Sequence, residues 1–221
     1  MARRFIPTLS VFMLLAFAGL MASAPLAAAR AATNEASARA AGHEAGAARF
    51  IESLSDRAIK SLTTKGITRS KRIVRFRRFF ADRFAVRGIG KWILGRYWRK
   101  ASKDERAEYL RLFENLMVVS YVDRFASYAG ESLKLVKTVP DNATTTTVYT
   151  EIVQPAGGAA VRIDWRVGFK DNHYKIVDVI VEGTSMSNTL RSDFGSIIRR
   201  KGGGIAGLID VLRKKTASLG Q

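Results

Sequence analysis

Cysteine is missing altogether from the 221 residues. That excludes a disulfide framework, thiolate zinc sites, a cysteine nucleophile and a lipidated N-terminal Cys. Histidine is nearly missing, and His43 and His173, far apart in sequence, cannot build a histidine-rich metal centre. No cofactor is implied. Proline is scarce at 4 residues, while 47% hydrophobic and 25% charged residues describe an ordinary globular domain with or without a tail. Acid is the remaining shortage: 19 Asp plus Glu stand against 37 Lys plus Arg, a formal charge of +18. Such an excess points to an anionic partner: nucleic acid, an acidic protein face or a membrane carrying anionic lipids.

Residues 1–29 read as a secretory signal peptide. Arg3 and Arg4 give the positive start, Phe5–Met21 a largely apolar centre, and Ala22–Ala29 a small-residue end. Cleavage is expected after Ala29, because Pro25 disfavours the site at Ala24. The apolar run holds Pro7 and is shorter than the roughly 20 residues a spanning helix needs. Losing Arg3 and Arg4 takes the charge from +18 to +16, so the mature chain stays basic. Export also argues against nucleic acid as partner. Residues 30–48, rich in Ala, Ser, Gly and Glu, read as a flexible linker or the weak start of a helix; 49–216 form the folded domain and 217–221 a tail.

From Arg49 the period is helical, with Phe50, Leu54, Ala58 and Leu62 at steps of four up to Gly66. Ile73, Phe76, Phe80 and Phe84 mark a second helix. Gly88, Gly90 and Gly95 loosen the region around Trp92, Tyr97 and Trp98, where a short or bent helix is expected. Ser102 and Glu105 make a capping box for a long helix running on through Tyr121 towards Gly130. The period then switches to two. Four strands follow, within 133–140, 144–153, 161–169 and 174–181, with turns at Asp141-Asn142, Pro155–Gly158 and Asp171-Asn172. Helical spacing resumes over 185–200 and 205–214, divided by Gly202–Gly204. The fold class is α+β: N-terminal helices, a four-stranded antiparallel sheet, then C-terminal helices.

Catalytic patterns are weak. Gly183-Thr184-Ser185-Met186-Ser187 resembles a nucleophile elbow except at its last position, and the one candidate base, His173, lies upstream. A Ser at a helix start is ordinarily its N-cap. Gly88 and Gly90 do not complete a dinucleotide fingerprint, since Ile93 holds the third glycine position. The segment Arg69–Lys100 carries twelve Lys or Arg and one acid, Asp82, interleaved with aromatics. It reads either as the solvated face of an amphipathic helix or as a dock for an acidic membrane or protein surface. Asp178, opposite Val177 and Val179 on the last strand, is expected to pair with Arg191 in the following helix or to meet a head group.

Two pieces carry a resemblance: Gly95-Arg96-Tyr97-Trp98 ahead of the long helix, and the run Tyr174 to Ser185 leading to Arg191 and Phe194. In order and spacing, from about Phe50 to Leu212, the chain resembles the MlaC family, the toluene-tolerance phospholipid-binding proteins. Tyr174 stands where Trp is common, and Leu190 where an aromatic often precedes the Arg; both bear on pocket shape. The resemblance implies a non-enzymatic periplasmic carrier holding phospholipid acyl chains between a curved sheet and helices. It further implies exchange with an inner-membrane ABC transporter complex and an outer-membrane lipoprotein assembly, as in the maintenance of outer-membrane lipid asymmetry. The basic segment leaves room for a branch linked to hopanoid lipids.

Burying one CH₂ is worth roughly 0.8 kcal/mol, so a 16-carbon chain costs about 13 kcal/mol to carry unprotected through water. A carrier must offset most of that with an apolar interior. The candidate walls are Tyr97, Trp98, Phe113, Leu116, Met117, Tyr121, Ile163, Trp165, Val167, Val177 and Val179. Two rivals remain: an adaptor that docks on acidic lipid surfaces without extracting lipid, and a hydrolase built on Ser185.

Overall fold

The computed structural model describes residues 24–220, with side chains described from residue 41. The expected leader lies, up to residue 23, outside the described residues. Among the described residues the chain divides into two units that part between Arg39 and Ala40.

Helix α1 spans Ala24–Leu62, so the stretch read as a flexible linker is helical. Its many alanines are the strongest helix formers, and no proline follows Pro25 within it. Packing also begins ahead of residue 49. The His43 ring lies 4.2 Å from that of Phe169, Glu44 accepts a 2.7 Å hydrogen bond from Thr138, and Ala47 is fully buried.

Helix α2 is Arg69–Arg83, with the Thr68 hydroxyl accepting from the Lys71 N–H. Helices α3 (Val86–Leu94) and α4 (Arg96–Lys100) part at Gly95, whose φ of 52° suits a residue without Cβ. Gly90 does not loosen this region. It is buried inside α3, where a Cβ would come within 2.8 Å of Leu110, so the glycine admits close packing. Helix α5, Lys103–Tyr121, carries the full Ser102–Glu105 capping box. It stops before the predicted Gly130: Val122–Phe125 tightens into a 3₁₀ turn.

The strands β1 (Ser132–Asn142), β2 (Thr145–Val153), β3 (Val161–Lys170), β4 (His173–Val181) and β5 (Thr184–Ser185) form one antiparallel sheet in sequence order. The α+β class stands, with a fifth, two-residue strand beyond the four expected. Asp171-Asn172 and Glu182-Gly183, all with positive φ, make the two-residue turns of the last two hairpins. The first turn falls on Ala143-Thr144 instead of Asp141-Asn142, with the Asn142 side chain accepting from the Thr144 N–H. Strand β5 delivers the chain into α6, Met186–Arg200, and α7 follows as Ile205–Leu219, taking in most of the stretch read as a tail.

Cross-strand partners share a face, so Thr138, Val148, Trp165 and Val179 form one rung, and Leu135, Thr150, Ile163 and Val181 the next. This face meets Ala47, Ile51 and Leu54 of α1. The opposite face carries Arg162, Asp164 and Arg166. Among the described residues no helix is long and apolar enough to cross a membrane.

Candidate functional site

Buried side chains gather into three clusters. The helical cluster joins α3 to α7 and holds Trp98, Phe113 and Leu116, with Tyr97 and Met117 packed against it. The sheet cluster holds Val148, Val167 and Ile176 over α1, with Trp165 and Val179 at its margin. The third joins α1, α2 and the end of α5 around Phe76, Phe80 and Val118, with Tyr121 alongside. The candidate walls are therefore distributed over three packed groups. Ile163 is half-buried beside Thr150, and Val177 is the extra residue where the β3–β4 register slips, against Gly168. That bulge breaks the strict alternation from which Val177 and Val179 were paired.

Four residues tie the clusters together. Phe79 and Phe84 touch both the sheet cluster and the third; Val86 and Met117 touch both the third and the helical cluster. Of the four, sequence reasoning singled out Met117 as a wall and Phe84 only as a helix-face residue. Directly at this seam lies an open concavity of about 380 Å³, lined by Ala81, Phe84, Ala85, Val86, Arg87, Gly88 and Lys175. None of the candidate walls lines it. The chain reaches this point because β5 covers only the far end of β4: Phe84 bridges to Ile176, and the Ala85 N–H donates to the Ile176 carbonyl at 2.9 Å. Lys175 donates to the Ala81 carbonyl at 3.3 Å, and Arg87 is exposed. The concavity thus pairs an apolar floor with two cations and no carboxylate. Chemically it suits an anionic amphiphile: phosphate at the rim, hydrocarbon towards the seam.

The expected Asp178–Arg191 pair does not form. Asp178 is 9% exposed, and its carboxylate accepts from the Ser185 hydroxyl at 2.6 Å and from the Ser187 and Val179 N–H groups at 3.1 and 2.9 Å. Ser185 in turn accepts from the Asn188 N–H at 3.1 Å. Together they satisfy the open donors at the start of α6. Ser185 is a cap, and His173 sits at the β3–β4 turn with its ring nitrogen against the Asp171 carbonyl. Arg191 donates instead to the Trp92 carbonyl at 2.5 Å and lies 4.7 Å over the Trp92 ring. A Cβ on Gly95 would come within 2.7 Å of its guanidinium. Arg191 therefore clamps the corner between α3 and α4.

On the far face of the sheet Asp164 is 5% exposed, and one of its carboxylate oxygens has no partner among the described residues. Burial pushes its pKa above the ordinary aspartate value, against the opposing pull of Arg162, whose Nε is 3.8 Å from the other oxygen. Among the described residues no group of three His, Cys, Asp or Glu could hold a metal ion.

A profile of the family described as "MlaC protein" matches residues 52–214. The chain belongs to the MlaC family. The Haemophilus influenzae protein named "Intermembrane phospholipid transport system binding protein MlaC" is 24% identical over 117 residues, 51% of this chain and 54% of the relative. That match spans about half the relative's length. The solved phospholipid-binding protein from Ralstonia solanacearum, in complex with a phospholipid, superposes with a TM-score of 0.71 at 19% identity. The superposition covers 79% of this MlaC-family chain and 98% of that structure, and it shows a shared fold.

Proposed function

We propose that this chain is a periplasmic carrier that takes a phospholipid from one membrane's transport machinery and delivers it to the other's. The observation that carries the reading is the seam: Phe84 and Val86 both line the open concavity and join clusters of the interior. An acyl chain entering there follows a path of apolar side chains inward, while Arg87 and Lys175 hold the phosphate at the rim. Phe79, Phe84, Val86 and Met117 give way as the chain enters, and the sheet cluster and helical cluster become its two walls. Trp165, Val167 and Val179 then face it from the sheet, and Phe113 and Leu116 from the helices.

Family membership and the phospholipid named for both relatives support the same cargo. The partners follow from the family: an inner-membrane ABC transporter complex and an outer-membrane lipoprotein assembly, with outer-membrane asymmetry as the physiological consequence. The N-terminal leader delivers the chain to the periplasm. No reaction is catalysed.

A phospholipid carrying a photoreactive group at its acyl terminus tests the path. Peptide mapping after illumination should find label on α2, on α5 near Met117 and on β3. Label confined to exposed residues, or none above background, contradicts the reading. Replacing Ser185 by Ala should leave exchange intact, because its hydroxyl is occupied as a cap.

A further inference from the structure

The basic segment is not one surface. In α2 and the loop before it, Lys65, Lys71 and Arg78 point outward singly, while Arg69, Arg72, Arg75, Arg77 and Arg83 bond within the protein. Beyond Phe84 the pattern reverses. Lys91, Arg96, Arg191 and Arg199 are exposed and have no carboxylate partner among the described residues.

Contacts bring three of these cations together, and Lys91 directly precedes Trp92 on α3. Arg191 covers one face of Trp92, Arg96 donates to the Tyr97 hydroxyl at 3.2 Å, and Arg199 lies beside the same phenol. The neighbouring cations hold the Tyr97 phenol below its ordinary pKa, Arg96 first and Arg199 more weakly. Trp92 itself is 46% exposed, an unusual position for the largest apolar side chain. The acid closest in sequence, Asp193, lies about 200° round α6 from Arg191 at 100° per residue. Cations around an exposed indole and a phenol form an amphipathic surface of one charge sign. Tryptophan and tyrosine favour the head-group level of a bilayer, where one end of the ring is apolar and the other wet.

We propose that the face formed by Lys91, Trp92, Arg96, Tyr97, Arg191 and Arg199 docks the protein on an anionic phospholipid bilayer, with Trp92 entering the head-group layer. Charge complementarity selects the occupant: a bilayer offers many phosphates in one plane to four cations on one face. The docking face shares no residue with the concavity at the seam, so it goes beyond cargo binding and stands or falls separately.

The test uses the protein purified as its host produces it, with vesicles of phosphatidylglycerol in phosphatidylcholine and vesicles of phosphatidylcholine alone. Co-sedimentation should occur with the anionic vesicles and weaken steeply with added salt. The variant Lys91→Gln/Arg96→Gln/Arg199→Gln should bind about a hundredfold more weakly, at roughly a fivefold loss per cation near the surface. The control Lys65→Gln/Lys71→Gln/Arg78→Gln removes equal charge elsewhere and should stay within about threefold. Anionic vesicles should also shift tryptophan emission to the blue, and Trp92→Phe should abolish the shift, since Trp98 is buried and Trp165 half-buried in the sheet cluster. Equal losses in the two triple variants, equal binding to neutral vesicles, or an undiminished shift in Trp92→Phe each overturns the proposal. All substitutions are at exposed side chains, and an unchanged thermal midpoint verifies folding. Native mass spectra of the same variants separate the two readings: docking lost with lipid retained concerns this face alone.

Discussion

Helix α2 holds six arginines and the α3–α4 pair three arginines with two lysines, and the two halves of the basic segment use their cations differently. In α2 the guanidinium groups complete other helices. Arg72 and Arg75 donate to the Leu62 and Ser61 carbonyls at the end of α1, at 3.0 and 2.9 Å, and Arg69 reaches the Leu219 carbonyl at the end of α7 at 2.8 Å. Helix C-termini leave carbonyls without intrahelical partners and carry partial negative charge, so cations there are favoured twice over. Arg69 also pairs with Asp123, and Arg77 reaches Glu114 and Asn115. The α3–α4 cations are exposed and have no carboxylate partner among the described residues, Arg96 reaching only the neighbouring Tyr97 hydroxyl. Charge density alone therefore says little about function; what matters is whether each cation has an internal acceptor.

The sharpest way to break this comparison is at the α3–α4 corner, where Gly95 holds a positive φ beneath Arg191. Gly95→Ala should destabilise the protein by about 2 to 3 kcal/mol in a urea titration, combining backbone strain with displacement of the clamp. Arg72→Ala should cost about 2 kcal/mol, because charge-assisted bonds to two carbonyls disappear and the end of α1 is left open. Arg191→Lys should cost about 1 kcal/mol, since an ammonium cannot both stack on Trp92 and keep the planar geometry towards its carbonyl. Arg96→Ala should move stability by less than about 0.5 kcal/mol. If Arg72→Ala and Arg96→Ala have equal effects, the division of the segment is wrong.

An acid gives the comparison a pH dependence. Asp164 has a raised pKa in the folded chain, so its neutral form is the favoured one there. Its contribution is complete below the ordinary value of 3.8 and is lost as pH rises through the raised folded value. Asp164→Asn, which stays neutral, should therefore gain stability relative to the parent across that window and level off above it. A parallel pair of pH–stability curves would contradict this assignment.

Much of the architecture was legible in periodicity. The capping box, the switch from period four to period two after Gly130 and the two-residue turn at Asp171-Asn172 are local signals, and local signals survive reading without coordinates. The fifth strand was too short to show a period. The helical character of 30–48 was misjudged because alanine offers no amphipathic pattern, although its propensity favours helix. Gly90 looked like a loosening residue because a glycine's role depends on Leu110 across the interface, which sequence spacing does not reveal. The Asp178–Arg191 pairing failed for a similar reason: an Arg a turn into the helix that follows the strand suggested a partner, but the carboxylate is saturated by the helix start. Of the candidate walls, Val177 departs from the alternation because it is the extra residue of the β3–β4 bulge. Their division among three clusters, and the concavity at Phe84 and Val86, come from tertiary packing between α2, α3 and β4.

Native mass spectrometry of the protein purified from a double-membraned host is the most direct test of the carrier reading. The account predicts a folded species heavier than the bare chain by one phospholipid, released on collisional activation and exchangeable with added vesicles. A folded species that stays at the mass of the bare chain, even after incubation with phospholipid vesicles, would contradict it.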